Sequence, residues 1–326
     1  MDLFTHALLP YLLAKSFKRK NEEITAFVLG GIAPDIDVLI MWINFVYPTF
    51  FLITHRGITH SVFFGFITAI CVLYLASRTG IRSFFNRFMK FEPVINGRSA
   101  VFACAGATLH IFLDYMTTHG VPLLYPITTT RYSAELFFYT DLFLTILSLL
   151  IIIYLYKKPQ QRNNVVKFLM VFLIIFALLG SVRIIEKNNA TYFFQGENMK
   201  TYPTASPFDW YVIGVTAEEI RIYEYNGLNM SSPYNETVKS MNILKSGNDM
   251  DVALSTAEEL PQIKMFRWRA HSVALNAYFD EGGWSFEYYD PLQISMFRDV
   301  PGIFRGVARG FGSMKVTVKG NIAVVT

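Results

Sequence analysis

Histidines and aspartates, which often hold catalytic metal ions, are concentrated in the first half of this chain. Five of the six histidines lie within the first 119 residues, and aspartates accompany them. Several lie in or beside long apolar stretches, where an ionisable side chain is costly and usually marks function. The residues predicted to bind metal are His6, Asp35, Asp37, His55, His60, His110 and Asp114.

Two carboxylates one residue apart, Asp35 and Asp37, follow Pro34 inside an apolar stretch. Gly30, Gly31 and Pro34 interrupt what would otherwise be one helix. Broken backbone at membrane depth is tolerated only where protein buries it or water reaches it. Both carboxylates can reach one cation if the chain is extended or looped here. The alternative is that either residue caps a restarting helix.

The spacing of the other candidates suits shared ligation. His110 and Asp114 are four residues apart, so on a helix they share a face. Both can then hold one ion, or Asp114 can orient His110; a hydrogen-bonded pair without metal is the alternative. His55 and His60 are five apart, which does not align them on one helix face. Thr59 as an N-cap would place His60 in the first turn of a helix and His55 in the preceding loop.

Three further positions extend the candidate set. His6 is predicted to be a ligand, with a capping or interfacial role as the alternative. His119 and Asp141 are additional candidates on the same side of the predicted membrane domain. Imidazole and carboxylate ligands suit zinc, manganese or iron rather than copper. We expect zinc first, with manganese or iron as alternatives, and one or two ions.

The chemistry expected of such a site is hydrolysis. A metal ion so held acidifies a water molecule and polarises a phosphoryl or carbonyl oxygen. A surplus Asp37 or His55 can act as general base, and Arg56 can clamp an anionic group. The alternative is that the Arg56 side chain extends its guanidinium group to the membrane interface. Asp37, His55 and Arg56 are the predicted catalytic residues.

Apolar stretches must position these residues. Apolar residues make up 52% of the chain and charged residues 17%, below the roughly 25% charged residues of soluble domains. Five stretches approach the roughly 20 residues that a helical span needs, and a sixth, 3–14, is short enough for a half-membrane helix. The predicted spans are about 24–47, 59–77, 99–118, 140–156 and 166–185.

Basic residues orient the predicted spans, because cytoplasmic loops are enriched in lysine and arginine. Three basic clusters, within 15–20, 78–98 and 157–167, lie on the same side if the spans alternate. The site residues then converge near the outer face of the cell membrane, and the C-terminal region lies outside the cytoplasm. The chain shows no basic and aromatic patch typical of nucleic-acid binding.

The C-terminal region reads as a soluble domain. Short runs of aromatic and β-branched residues at 210–225 and 273–289, with turn signals at Asn226-Gly227, Gly282-Gly283 and Gly320-Asn321, predict a β-rich fold. One helix is expected near 255–270, and a terminal strand over 314–325. We therefore predict a mainly α polytopic membrane domain, 1–187, followed by a β-rich (α+β) exterior domain, 188–326.

Four motifs resemble those of a known family, the LexA-binding, inner-membrane-associated hydrolases, also described as YdjM-like membrane-bound metal-dependent hydrolases. The resemblance covers about residues 1–180 and implies a metal-dependent hydrolase. The His-x-x-x-Asp pair is also similar to that of zinc-dependent phospholipases, which points toward phosphoesters. The motifs are Asp2-Leu-Phe-Thr-His6, Gly31-Ile-Ala-Pro-Asp35-Ile-Asp37, His55-Arg-Gly-Ile-Thr-His60-Ser61 and His110-Ile-Phe-Leu-Asp114.

The predicted function is a membrane-bound, metal-dependent hydrolase that acts near the outer leaflet on a lipid or lipid-linked phosphoester. Its expected partners are the lipid bilayer and that substrate. Two other classes stay open. A transporter or proton relay also uses buried aspartates and histidines, and a non-catalytic scaffold would hold a structural metal in a closed coordination shell.

Overall fold

The computed structural model describes residues 1–39, 42–43, 54–158, 162–194, 199–280, 282–298 and 312–326. These residues form two compact units, one within 1–184 and the other within 185–326. The first unit is helical, and the second is built mainly of β-sheet. The predicted sequence of a helical domain followed by a β-rich domain is therefore confirmed.

Seven helices account for most of the described part of the first half of the chain. Several begin at a side chain that accepts a backbone N–H, as Asp2, Ser61, Asn96 and Asp141 do; such caps satisfy N–H groups that have no partner within the helix. In chain order the helices are α1 Leu3–Ser16, α2 Asn21–Ile32, α3 Val62–Ala76, α4 Thr79–Phe85, α5 Gly97–Tyr115, α6 Leu142–Lys157 and α7 Arg162–Phe193.

Helices α2 and α5 pack with their backbones in contact. A Cβ atom built on Gly106 would lie 2.2 Å from the carbonyl oxygen of Phe27, and one built on Gly30 would lie 1.9 Å from that of Ala103. Real side chains do not approach so closely, so only glycine allows this crossing. Small residues are the usual means of close helix packing in membrane proteins. The contact brings the end of α2 beside the second half of α5.

The first predicted span is broken. Helix α2 ends at Ile32, and a 3-10 helix, Pro34–Leu39, follows. Pro34 has no N–H to donate and restricts the residue before it, so the α-helix does not continue through it. A second short 3-10 helix, Ile58–His60, precedes α3. Residues 40–41 and 44–53 of the predicted first span and loop lie outside the described residues.

Within the described residues, one helix is long and apolar enough to cross a membrane, namely Asn163–Phe193. Helices α3 and α4 together would make a second span, but the chain bends by 81° between them. Helix α6 is apolar and shorter. The count of five spans therefore stays a prediction.

The second unit contains two sheets. In the first, β1 Met199–Pro203, β2 Asp209–Val215, β3 Glu219–Asn226 and β4 Asn235–Lys239 are antiparallel neighbours in chain order. In the second, β5 pairs in parallel with β6, and the remaining pairs are antiparallel. Its strands, in sheet order, are β5 Met241–Lys245, β6 Ala274–Asp280, β7 Gly283–Tyr289, β8 Ser313–Lys319 and β9 Ile322–Val325.

Two details of the second unit differ from the sequence prediction. The single helix expected near 255–270 is two helices, α8 Met250–Glu258 and α9 Pro261–Arg269, because Pro261 is tolerated at a helix start but not in its interior. The terminal strand expected over 314–325 is the hairpin of β8 and β9, with Gly320 at a φ of 59° in its turn. A last short helix, α10, spans Pro291–Met296.

Candidate metal centre

Three backbone segments of the first unit supply the central residues of the site. The 3-10 helix after α2 carries Asp35 and Asp37, and the 3-10 helix before α3 carries His60. Helix α5 supplies His110 and Asp114 from its last turns. The break after α2 lets Asp35 and Asp37 approach the end of α5. A continuous helix would not direct both aspartates toward it.

Four donor atoms converge in this place: Oδ1 of Asp35, Oδ2 of Asp114 and the Nε2 atoms of His60 and His110. All four lie within 4.8 Å of one another. His60 Nε2 is 3.1 Å from His110 Nε2 and 3.4 Å from each carboxylate oxygen. His110 Nε2 is 3.5 Å from the Asp35 oxygen and 3.6 Å from the Asp114 oxygen.

These separations fit a tetrahedral metal site. With bonds of about 2.0–2.1 Å to nitrogen and oxygen, the donors of a tetrahedral zinc ion lie about 3.3–3.4 Å apart. Five of the six distances among the four donors are within a few tenths of an ångström of that value. Asp114 Oδ2 is buried, and its neighbours among the described residues are the two imidazoles of the group and Arg56 Nε at 3.0 Å. The residues present therefore fit a divalent cation.

Hydrogen bonds orient both imidazoles toward the centre. His110 Nδ1 lies 2.7 Å from the carbonyl oxygen of Gly31, so this nitrogen donates and Nε2 keeps its lone pair. His60 Nδ1 lies 3.1 Å from Thr59 Oγ1, which in turn donates to Asp37 Oδ2 at 3.0 Å. A carboxylate behind a ligating histidine is a frequent arrangement because it fixes the ring and its tautomer.

Asp37 and His55 form a pair beside the four donors. Asp37 Oδ1 lies 2.9 Å from His55 Nδ1, while Oδ2 lies 3.3 Å from His60 Nδ1. Asp35 and Asp37 therefore lie on opposite sides of the His60 ring. Asp37, His55 and His60 make a second group that could hold an ion, but His60 then would have to serve two ions through its two nitrogens.

The Arg56 side chain is buried and contacts the site at Asp114. Its Nε lies 3.0 Å from Asp114 Oδ2, and its Nη1 donates to Thr117 Oγ1 at 2.6 Å. Its backbone N–H donates to Asp37 Oδ2, and its φ of 60° is in the left-handed region, which non-glycine residues rarely occupy. These contacts give Arg56 a positioning role between the loop and α5. Its predicted role as an anion clamp stays a prediction.

His6 is the predicted ligand that lies in neither metal-capable group. Its ring stacks on that of His110 at 3.7 Å, and its Nε2 is 3.3 Å from Asp114 Oδ1. Both ring nitrogens are buried without a hydrogen-bond partner among the described residues. The amino group of Met1 also contacts Asp114 Oδ1. Of the three carboxylates, only Asp114 contacts the Arg56 guanidinium among the described residues, while Asp35 and Asp37 have histidines as ionisable partners. A bound cation would compensate the remaining negative charge.

Solvent reaches the cluster on one side. The His60 side chain is 0% exposed and those of Asp114 and Asp37 nearly so, whereas Asp35 is 19% and His55 38% exposed. Exposed apolar side chains lie close in sequence to the site residues, in or just after the 3-10 helix that carries Asp35 and Asp37 and at the start of α3. These are Val38, Leu39, Trp42, Val62 and Phe63.

The structure thus brings together the eight residues predicted as ligands or catalytic groups, and two other candidates lie elsewhere. Asp141 caps α6 and pairs with the buried Arg183 at 2.9 Å. His119 lies with its ring 5.9 Å from that of Tyr139. The sequence predicted Thr59 only as an N-cap, which is wrong, because Ser61 caps α3 and Thr59 lies within the preceding 3-10 helix. Sequence reasoning did not single out Thr117 or Arg183. Only Arg183 carried a signal, as an arginine within a long apolar helix whose partner must be an acid.

One comparison with known proteins gives a match. A family model described as YdjM inner membrane protein matches residues 1–189, which include every residue of the site. No curated protein and no solved structure matches the chain.

Proposed function

The chain belongs to the YdjM inner membrane protein family, and from this premise we propose that it is a membrane-bound metal-dependent hydrolase. It is an enzyme of the cell membrane whose site faces the outer leaflet, with several spans and with the C-terminal domain outside the cytoplasm. Its substrate is a lipid or lipid-linked phosphoester.

The observation that carries the proposal is the tetrahedron of donors from Asp35, His60, His110 and Asp114. Two imidazoles and two carboxylates at these separations favour zinc, with manganese or iron as alternatives. One ion is proposed, because Thr59 and Asp37 engage the outer nitrogen of His60 as an orienting contact.

The residues around the donors have separate tasks. A bound divalent ion supplies Lewis acidity, which activates water and withdraws charge from a phosphoryl oxygen. The His55–Asp37 hydrogen bond holds one ring nitrogen of His55 protonated, so its Nε2 is the atom that takes up a proton from water. His55 is the most exposed member of the cluster, so it is accessible to both water and substrate.

The surroundings of the site support a substrate with an apolar part. Val38, Leu39 and Trp42 follow the two aspartates and are 56%, 69% and 61% exposed. Phe63, three residues after His60, is 57% exposed. In a membrane protein such side chains contact lipid, so the polar site borders the acyl region. A phosphoester carried on a lipid would present its head group at that depth.

The metal is tested by mass spectrometric metal analysis of detergent-purified protein. Wild type is expected to hold about one zinc ion per chain, whereas Asp35→Ala and His110→Gln lose it. His119→Gln is the matched control, since His119 belongs to neither metal-capable group among the described residues. Wild type that stays metal-free after incubation with zinc, manganese and iron would rule out the site.

The reaction is tested by hydrolysis of phospholipids and of soluble phosphodiesters by the metal-loaded protein. His55→Ala is expected to retain the ion and to lose most hydrolysis, because His55 is outside the tetrahedral group. A purely structural metal predicts instead that no phosphoester is cleaved by the loaded wild type. For a catalytic metal, chelation is expected to abolish the hydrolysis, and re-addition of zinc is expected to restore it.

A further inference from the structure

A basic and aromatic segment, residues 78–90, protrudes from the first unit. Every residue from Arg78 to Lys90 is exposed. The segment contains helix α4 and the turns that follow it, and it has four cations and no acidic residue. Its large apolar side chains, each between 39% and 59% exposed, are Ile81, Phe84, Phe85, Phe88 and Met89.

The apolar and basic residues lie on different faces. Ile81, Phe84, Phe85 and Phe88 follow the spacing i, i+3, i+4, i+7, which places them on one stripe of a helix. Turns continue the helix past Phe85, since Phe88 N–H bonds to the carbonyl of Phe85. The cations flank or oppose the stripe, at Arg78, Arg82, Arg87 and Lys90. The pattern is typical of helices that lie in a membrane interface.

The direction of helix α4 also fits a position in the membrane interface. Helix α3 begins directly after His60 at the metal centre and ends at Ala76, about 22 Å away for its 15 residues. The chain then bends by 81° into α4. If α3 runs across the membrane, α4 lies nearly parallel to the surface at the end remote from the site. A span through α4 would bury Arg82 in hydrocarbon, which is costly.

We propose that residues 78–90 lie on the cytoplasmic membrane surface and bind the head groups of anionic phospholipids. The stripe of Ile81, Phe84, Phe85 and Phe88 enters the acyl boundary, and Arg82, Arg87 and Lys90 contact phosphate groups. Charge complementarity identifies the occupant, because anionic lipids attract clusters of lysine and arginine at this leaflet. This proposal rests on the membrane location and not on the metal centre, so the two can fail independently.

The test uses the full-length protein with a fluorescent label at Phe88→Cys or Ser83→Cys, in a background with Cys71→Ala and Cys104→Ala. Both positions are exposed and on the same segment, but Ser83 lies opposite the apolar stripe. The protein is placed in lipid nanodiscs of phosphatidylcholine alone or with a quarter of phosphatidylglycerol. Acrylamide, a neutral quencher in water, reports how far each label is shielded.

In the anionic discs we expect quenching at Phe88→Cys to be roughly threefold weaker than at Ser83→Cys, as for an inserted apolar face. The difference shrinks in neutral discs, and it shrinks in anionic discs when Arg82, Arg87 and Lys90 are replaced by glutamine. The matched control replaces Lys239, Lys245 and Lys319 of the sheets by glutamine and leaves the difference unchanged.

Three results would overturn the proposal. Equal quenching of both labels in anionic discs means that the stripe does not enter the membrane. A difference that is the same in neutral and anionic discs means that head-group charge is not recognised. Shielding of Phe88→Cys that appears in discs with two copies of the chain and is absent from discs with one copy means that a second copy, and not lipid, covers the stripe.

Discussion

Thr59 connects two groups of the candidate site through one hydroxyl. It accepts from His60 Nδ1 and donates to Asp37 Oδ2, so it fixes the ring that presents Nε2 to the other donors. The hydroxyl supplements a longer direct contact, 3.3 Å, between Asp37 Oδ2 and His60 Nδ1, and a carboxylate lies in this position behind many metal ligands. The orientation of His60 therefore depends on a residue with no ligand role of its own.

Removing this hydroxyl is expected to weaken metal binding. Thr59→Val keeps the shape of the side chain and removes both hydrogen bonds, and outer contacts of this kind are worth roughly 10- to 100-fold in affinity. Competition with a chromophoric zinc chelator measures the change. Thr68→Val is the matched control, because Thr68 Oγ1 bonds only to the carbonyl of Phe64 on its own helix. Equal affinities in the two variants would remove Thr59 from the site.

Arg56 is expected to stabilise the fold as well as the site. Arg56→Met leaves Asp114 without its guanidinium partner in a buried position, and breaking a buried pair costs about 3–5 kcal/mol. Lys90→Met is the comparison, since the Lys90 side chain is 68% exposed and 3.4 Å from Glu92, and such surface pairs contribute about 0–1 kcal/mol. Denaturant unfolding in detergent, with metal removed from both variants, measures the difference. Similar losses would contradict the burial argument.

At the scale of elements, the crossing of α2 and α5 sets the distance between two halves of the site. The Gly31 carbonyl at the end of α2 orients His110 on α5. A Cβ at Gly106 would lie 2.6 Å from the Gly31 nitrogen, so the crossing and the hydrogen bond share the same few atoms. The site is therefore coupled to helix packing and not only to its own side chains.

A methyl group at this crossing is expected to disturb both stability and metal binding. Gly106→Ala has to separate the two helices, and overpacking of a tight core costs about 1–3 kcal/mol. Gly97→Ala is the control, because a Cβ there meets nothing within 4 Å. Thermal unfolding and zinc affinity are measured together. If Gly106→Ala unfolds like wild type and binds zinc equally, the backbone contact does not position His110.

Helices α6 and α7 are joined by the buried ion pair of Asp141 and Arg183. Both side chains are fully buried, and Asp141 also caps α6 through its other oxygen. Each single change, Asp141→Asn or Arg183→Met, leaves a buried partner behind and is expected to cost about 3–5 kcal/mol. Asparagine keeps the capping oxygen, so the cap is not lost.

The double variant distinguishes an ion pair from two separate contacts. Asp141→Asn combined with Arg183→Met is expected to cost less than the sum of the two single changes, by about 1–3 kcal/mol, because the double variant has no unpaired buried charge at this place. Denaturant unfolding of the four proteins supplies the cycle. Additive losses would show that the two residues stabilise the helices independently.

At the scale of the whole molecule, the three helices around the metal centre each have one end at the site and the other end near basic residues. Helix α2 begins directly after the basic residues 18–20 and ends before Asp35, while α5 begins beside Arg98 and ends at the site. Helix α3 begins at the site and ends at Ala76, two residues before Arg78. The site and the basic segments therefore lie at opposite ends of the same three helices, as proposed for a membrane with the site outside.

This orientation predicts which residues react on intact cells. In a background with Cys71→Ala and Cys104→Ala, we expect a membrane-impermeant maleimide to label Ser246→Cys of the C-terminal domain before cells are opened. Ser83→Cys on α4 should react only after permeabilisation. Both serines are exposed in the structure, so exposure alone does not separate them. The reverse pattern would place the metal centre on the cytoplasmic side and would require a different substrate pool.

A proton relay across the membrane is less well supported than hydrolysis. Between Arg98 and His110, α5 has no ionisable side chain other than the thiol of Cys104, which lies among apolar residues. A relay needs polar groups along the inner half of the same helices. Among the described residues of the first unit, the buried side chains of His60, His110, Asp37 and Asp114 lie at one end of these helices. Glu23, at the start of α2, is a buried ionisable group at the other end.

The sequence by itself determined the helical and β-rich halves, the break at Pro34 and the residue types of the site. Periodicity, turn residues and the cost of ionisable groups in apolar stretches are local properties of the chain, so they can be read without coordinates. The same reasoning gave both Asp35 and Asp37 as ligands of the metal and did not predict which atoms of His60 each would contact.

Only the tertiary structure decided which atoms of those residues meet. It placed Asp35 at His60 Nε2 and Asp37 at Nδ1, and it assigned Asp141 to Arg183 rather than to the metal-capable groups. It also showed that Gly106, which has no chemistry of its own, lets α2 approach α5 closely enough to orient His110. These results depend on how far apart the helix axes lie, and that distance is set by packing between segments remote in the sequence.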